Sequence, residues 1–217
     1  GDLGQAVPVL EKGLELSRAG DVRAVLAGLE SSLGFAYALA GRHEEGIALL
    51  EQGVQEGAAR RITARQSLWS AWLSEALVLA GDRDRALKHA TKALELSREH
   101  GTRGNEAHAL RACGEVLAQG EGADAKRAEA FYGEAIDLAE RFGMRPLVAQ
   151  CRLGRGMLFR RLGRESDART ELAAAASLLR AMGMTLWLAR AEAELARVEA
   201  WGAQPADRAR SSHFRAR

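Results

Sequence analysis

Proline, cysteine and aromatic residues are scarce in this sequence, and each scarcity excludes a class of structure. The 217 residues include 3 prolines, 2 cysteines and 5% aromatic residues. Few prolines and few β-branched residues, beside many Ala, Leu, Glu and Arg, favour helices over strands. Cys113 and Cys151 are far apart and outside any Cys-x-x-Cys spacing, which indicates neither a disulfide framework nor a zinc site. This cysteine usage predicts a reducing, cytoplasmic location.

An excess of charge of one sign is also lacking. Lys plus Arg number 31 and Asp plus Glu number 29, so the net charge of +2 provides no field to attract nucleic acid or an anionic membrane. No apolar run approaches the roughly 18 residues that span a bilayer, and the N-terminus lacks the pattern of a secretion signal. We predict a soluble protein without a nucleic-acid or membrane partner.

Catalytic motifs are missing as well. The sequence has no phosphate-binding P-loop, no zinc-protease helix motif and no nucleophile elbow. The run from His43 to Gly46 lacks the second histidine of a zinc helix, and the five histidines are scattered at polar places where solvated or capping roles are expected. The run Gly154-Arg155-Gly156 is a broken part of a dinucleotide-binding motif that lies inside a predicted helix. Helix packing therefore explains its second glycine better than dinucleotide binding does. We predict a chain with no enzyme activity, cofactor or metal.

The main feature of the sequence is a repeated motif, here called the anchor phrase. A glycine and four mostly polar residues precede a small residue, here called the anchor, and an apolar residue at +4 and a small one at +7 follow on the same helical face. The phrase keeps a period of 40 to 42 residues, with anchors at Ala6, Gly46, Ala86, Ala128 and Ala168. Three further glycines come fifteen residues after an anchor, where a helix end requires positive φ: Gly101, Gly143 and Gly183.

Each unit is predicted to be a helix hairpin, because an amphipathic first helix precedes the phrase and a second helix follows it. Gly34, Gly114 and Gly156 would let the two backbones approach closely. A loop at 121–125 interrupts one copy of the phrase. The predicted helices are 2–18, 22–40, 43–57, 60–80, 83–100, 103–119, 124–142, 145–162, 165–182 and 184–201.

These small and large residues at fixed places resemble the tetratricopeptide repeat. The resemblance covers residues 1–200, about five units with an incomplete first unit and a last helix that caps the array. It implies an all-α, right-handed superhelical solenoid of antiparallel hairpins. The period is longer than the roughly 34 residues of that repeat, and the closing proline is missing. The pattern stops near Trp201, so 201–217 is predicted to be a disordered basic tail.

A closer resemblance lies in the stretch from Phe142 to Arg164 and in the later run from Ala181 to Leu188. Both are similar to the C-terminal helical arrays of large bacterial signalling proteins that join a nucleotide-cyclase or LuxR-type DNA-binding domain to a regulatory ATPase domain. The resemblance implies a sensing or partner-binding arm. Because Gly1 falls within a repeat, we expect the chain to be a piece of a larger regulator.

The tetratricopeptide resemblance also implies a concave groove lined by the first helices. Counting from the small eighth place, its second, fifth, ninth and twelfth positions are Leu68, Ala71, Glu75 and Val78; His108, Arg111, Glu115 and Ala118; and Gln150, Leu153, Met157 and Arg160. The mixed chemistry suits a protein or peptide segment, including one from the parent chain. The predicted contact residues are Glu75, His108, Arg111, Glu115, Gln150, Met157 and Arg160.

Other interpretations stay open. The groove could hold a small-molecule inducer, or the terminal helices could pair copies into a homodimer. The arginines between Arg152 and Arg164 form either a solvated face or a site for an anion or acidic peptide. Trp69 and Trp72 share a helical face and are predicted to pack between hairpins, with a partner surface as the alternative.

Overall fold

The computed structural model describes residues 2–119 and 124–202, and these residues form helices and turns without a strand. Each helix begins and ends within three residues of its predicted bounds. Of the predicted loop at 121–125 and the predicted tail at 201–217, residues 121–123 and 203–217 lie outside the described residues. Ala125 instead begins α7, and α10 continues to Gly202, one residue beyond its predicted end. The helices are α1 Leu3–Ala19, α2 Arg23–Leu39, α3 His43–Ala59, α4 Thr63–Ala80, α5 Arg83–Glu99, α6 Arg103–Leu117, α7 Ala125–Arg141, α8 Arg145–Arg161, α9 Glu165–Ala181 and α10 Thr185–Gly202.

The helices stack into an all-α solenoid, as predicted. The even-numbered helices are the first helices of the hairpins, and each of them contacts the next first helix along the array. Among the described residues, the odd-numbered second helices pack on first helices, and they meet one another through long side chains, as in the ion pair of Arg85 in α5 with Glu51 in α3. The first helices therefore share one surface of the array, here called the inner surface, and the second helices cover the other.

Each second helix ends in the same backbone motif. The amide two residues after the helix cap bonds back to the carbonyl five residues earlier, as in Met144 to Ala139 at 2.8 Å and Met184 to Leu179 at 3.0 Å. The residue between cap and amide has positive φ, which confirms the prediction for Gly101, Gly143 and Gly183. In the first two units the same positions are Asp21 and Arg61, with φ of 50° and 56°.

Small residues bring the two helices of a hairpin into backbone contact. A Cβ added to Gly34 in α2 would lie 2.7 Å from the carbonyl oxygen of Gly46 in α3, and one added to Gly46 would lie 2.6 Å from that of Gly34. A Cβ at Gly156 would lie 2.8 Å from Cγ of Leu172. The predicted close approach is confirmed, and no larger side chain fits these positions.

The two neighbouring tryptophans have different environments. Trp69 is 2% exposed, and its ring fills the space beside Gly57, where an added Cβ would come within 2.5 Å of it. This confirms its predicted packing between hairpins. Trp72 is partly exposed and stacks on Phe35 of α2 with ring centroids 5.2 Å apart. It packs between hairpins and also contributes to the inner surface.

The close approach predicts opposite effects for two Gly→Ala substitutions. Gly34→Ala should lower the free energy of unfolding by about 2 kcal/mol, because the new methyl overlaps the α3 backbone. Gly133→Ala in α7 meets no atom within 4 Å and should raise it by about 0.5–1 kcal/mol through helix propensity. Urea denaturation measures both values, and equal effects for the two variants would contradict this packing.

Candidate functional site

All seven predicted contact residues lie on first helices, in two groups. In the first group, Arg111 of α6 pairs with Glu75 of α4 and lies near Glu115 and His108 of its own helix. In the second group, Gln150, Met157 and Arg160 lie along α8. His108, Glu115, Gln150, Met157 and Arg160 are partly exposed, as are Leu68 and Val78. Ala71, Ala118 and Leu153 of the implied groove are buried in the core.

A buried ion-pair cluster occupies the centre of the array. Arg111 pairs with Glu75, and its Nη1 lies 3.7 Å from Oε1 of Glu115. The side chains of Arg111 and Glu75 are only 4% and 7% exposed, while that of Glu115 is 22% exposed. Arg111 and Glu75 thus form the floor of the inner surface and join α4 to α6, and Glu115 is the member that reaches the surface.

Tyr132 of α7 completes the cluster and was missed in the sequence. Its hydroxyl donates a hydrogen bond to Glu115, and its ring lies against Gly114 of α6. A Cβ at Gly154 of α8 would lie 2.6 Å from the Tyr132 hydroxyl and 2.7 Å from Oε1 of Glu115. Gly154 is therefore as necessary for packing as Gly156. The sequence did contain a signal for this role, because a tyrosine with its polar hydroxyl stands at the +4 position after the anchor Ala128.

Burial shifts the pKa of several groups in and around the cluster. Burial raises the pKa of Glu75, against the opposing effect of Arg111. Burial also opposes the charge of Arg111, but Glu75 and Glu115 outweigh it and raise the pKa, so Arg111 stays charged. Burial raises the pKa of Tyr132 well above its usual value and that of the Cys151 thiol to about 12. Neither group ionises near neutral pH.

His108 differs from the solvated role expected for the histidines. Its Nδ1 is buried without a hydrogen-bond partner among the described residues. Burial, with a smaller contribution from Arg111, lowers its pKa to about 4. His108 is therefore neutral at pH 7 and provides an uncharged ring beside Arg111.

Ion pairs within the chain engage four of the arginines in this stretch, Arg152, Arg155, Arg160 and Arg164. Arg155 Nη2 lies 2.7 Å from Glu171, Arg160 Nε 2.8 Å from Glu194, and Arg164 Nη1 2.7 Å from Glu129. Arg152 also bridges Glu140 and Glu171. These pairs join neighbouring helices. The arginine stretch is therefore better described as a set of ion pairs between helices than as a solvated face.

The described part of the chain contains neither a candidate metal-binding cluster nor a candidate membrane-spanning helix. Residues 2–119 and 124–202 hold no group of three or more His, Cys, Asp or Glu side chains placed to bind a metal ion. None of the helices described there combines the length and apolarity that a bilayer crossing requires.

Solved structures share this fold at low sequence identity. BtubC (BKLC) from P. vanneervenii is 17% identical with a TM-score of 0.60, and the match covers 92% of this chain and 90% of BtubC. RapI in its apo form is 14% identical with a TM-score of 0.57, covering 93% of this chain and 55% of RapI. No family model matches the sequence, and no curated protein is significantly similar to it.

A Rap protein complexed with competence and sporulation factor is a third match. It is 12% identical with a TM-score of 0.62, and the match covers 91% of this chain and 59% of the Rap protein. This chain thus spans little more than half the length of the two Rap proteins. At these identities the likenesses show the fold alone, a helical solenoid of the tetratricopeptide type.

Removing Arg111 tests the energetic role of the buried cluster. Arg111→Met should lower the free energy of unfolding by about 3–5 kcal/mol, because it leaves Glu75 and Glu115 without their cation. Adding Glu75→Gln should restore at least about 1 kcal/mol by removing a buried charge. Arg161→Met, at an exposed position at the end of α8, is the control and should change stability by less than about 0.5 kcal/mol. If Arg111→Met changed stability as little as this control does, the buried cluster would not have the stabilising role described here.

His108 predicts a pH dependence of stability. Between pH 6.5 and about 4 the unfolded chain binds a proton on this residue that the folded chain does not, so stability falls as pH falls. Relative to His108→Gln, the native protein should lose roughly 1 kcal/mol per pH unit across this window. Urea denaturation of both proteins from pH 7 to 4.5 measures the difference. Parallel curves would show that His108 titrates normally.

Proposed function

We propose that the array is a non-catalytic scaffold that binds a segment of a protein or peptide partner along its inner surface. The observation that carries the proposal is the continuous row of first helices. Each first helix contacts the next one, and no second helix lies between them. Such a surface presents equivalent positions at regular spacing, which suits an extended or helical segment.

The chemistry of the inner surface supports a partner with apolar and polar anchors. One position recurs along the row as Phe35, Glu75, Glu115 and Met157. The stack of Phe35 on Trp72 offers an apolar platform on α2 and α4, and Glu115 offers a carboxylate on α6. Because Glu75 and Arg111 are buried with each other, they hold α4 and α6 in place below the contact surface. Arg160 is similarly tied to Glu194 of α10.

A regulatory role in a larger bacterial signalling protein is the finer part of the proposal. The sequence resemblance over Phe142 to Arg164 motivates it. The Rap protein that shares this fold is complexed with competence and sporulation factor, which also motivates a bound partner for this array. In this proposal the partner is a separate protein, a peptide, or another segment of the parent chain.

Two pairs of substitutions distinguish binding at the inner surface from binding at the second helices. Leu68→Arg with Gln150→Arg places bulky charge on the inner surface, at partly exposed positions of α4 and α8. Leu87→Arg with Gln52→Arg makes the same changes at exposed positions of second helices α5 and α3. We expect proteins captured from a source lysate by the native chain to be lost at least tenfold with the inner pair and retained with the outer pair.

Circular dichroism and thermal melting first establish that both variants are folded. Equal retention of every captured protein by the two variants would refute an inner binding surface, and loss with the outer pair alone would place the contact on the second helices.

A further inference from the structure

A cleft of about 510 Å³ lies between the turn that joins α7 to α8 and the neighbouring helix α9. Its apolar lining consists of Met144, Val148, Ala174 and Leu178. Val148 stands two residues before Gln150, and successive residues turn by about 100° around a helix, so the two side chains leave α8 on opposite faces. The cleft is therefore separate from the inner surface.

The cleft also carries a positive charge that the chain does not neutralise. Arg145 and Arg152 line it together with one carboxylate, that of Glu140. Arg152 is paired, with Nη2 3.1 Å from Oε1 of Glu140 and Nη1 3.5 Å from Oε2 of Glu171. Arg145 is exposed, and its guanidinium has no ion-pair or hydrogen-bond partner in the described part of the chain. One guanidinium is thus available to a ligand.

The equivalent arginine of the preceding first helix is paired. Arg103 begins α6, and its Nη1 lies 2.7 Å from Oε2 of Glu106, three residues further along the helix. Arg145 begins α8, one repeat step of 42 residues after Arg103, and the residue that replaces the glutamate three positions on is Val148. This one difference leaves Arg145 without its carboxylate and gives the cleft part of its apolar lining.

The equivalent cleft beside the turn between α1 and α2 shows the opposite chemistry. It has a volume of about 570 Å³, and Gln52 and Gln55 stand where the α8 cleft has Ala174 and Ser177. Each of its three arginines pairs with a carboxylate of the same cleft: Arg18 with Glu30, Arg23 with Asp21, and Arg60 with Glu56. That cleft satisfies its own charges, whereas the cleft beside α8 combines an apolar lining with an unpaired cation.

We propose that the cleft beside α8 binds a small apolar carboxylic acid, with the carboxylate on Arg145 and the apolar body against Val148 and Leu178. A guanidinium fork binds a carboxylate through two parallel hydrogen bonds. The volume of the cleft falls within the range of about 300–1,000 Å³ that is usual for small-molecule sites, and such sites are mostly apolar with a few polar groups. This site does not depend on a partner at the inner surface.

The charges of the cleft favour a monocarboxylate over a phosphate. A phosphate monoester carries a charge of roughly −1.5 to −2 at neutral pH. Arg145 supplies one unpaired positive charge, and Glu140 on the same cleft repels additional negative charge. The apolar lining also provides no further donors for phosphate oxygens, but it suits an alkyl or aromatic body.

Isothermal titration calorimetry of the chain with octanoate tests the site. We expect saturable binding with a stoichiometry of one and a dissociation constant below about 1 mM. Acetate has the carboxylate without the apolar body, and octylammonium has a similar apolar body with the opposite charge. Both compounds, and inorganic phosphate, should bind at least tenfold more weakly than octanoate.

Two variants and a matched control locate the binding. Arg145→Gln removes the unpaired cation, and Val148→Glu restores the pairing that Arg103 has with Glu106 in α6. Each should raise the dissociation constant of octanoate at least tenfold. Arg169→Gln removes a positive charge at an exposed position of α9 outside the cleft and should leave the constant unchanged. Circular dichroism and thermal melting establish that the variants are folded.

The absence of saturable octanoate binding up to about 10 mM would overturn the proposal. Octylammonium or phosphate that binds as tightly as octanoate would overturn it too, because the site would then recognise apolar bodies or anions in general. An unchanged octanoate affinity in Arg145→Gln would have the same consequence. If Val148→Glu does not fold, Arg145→Gln, at an exposed position, decides the question alone.

Discussion

Close approach of the two helices of each hairpin, through small residues, is the constraint on which the rest of the structure depends. At Gly34 and Gly46 a single methyl group on either side would reach the opposite carbonyl oxygen. This contact requires small residues at fixed places, and those places recur with the repeat period of 40 to 42 residues. Because every hairpin is built alike, the first helices line up side by side and the second helices are left outside. The inner surface is a consequence of that packing.

The polar cluster is the main departure from this apolar scheme. Glu75, Arg111 and Glu115 occupy a region that could have been filled by aliphatic side chains, and desolvation makes such a cluster costly unless its members pair. Tyr132 satisfies Glu115, and Gly154 provides the room. The cluster joins the α4–α5 and α6–α7 hairpins at the middle of the array, packs against Gly154 of α8, and presents one carboxylate at the inner surface.

The sequence predicts the helices well because the signals are local and repeated. Anchor phrases and glycine caps specify where each helix begins and ends, and the glycines at Gly34, Gly114 and Gly156 indicate which faces meet. The pairing of Arg111 with Glu75 is not local, since the residues lie on different helices and their burial depends on how closely α4 and α6 pack. Asp21 and Arg61 escaped prediction for another reason, because the glycine that marks this position in the later units is absent from the first two.

The central claim is that partners bind to the row of first helices. Hydrogen exchange of the chain, measured with and without a captured partner, tests it directly because exchange reports which helices a partner covers. The account predicts slower exchange in α4, α6 and α8 on binding, with α3, α5, α7 and α9 unchanged. Slower exchange confined to the second helices would contradict it.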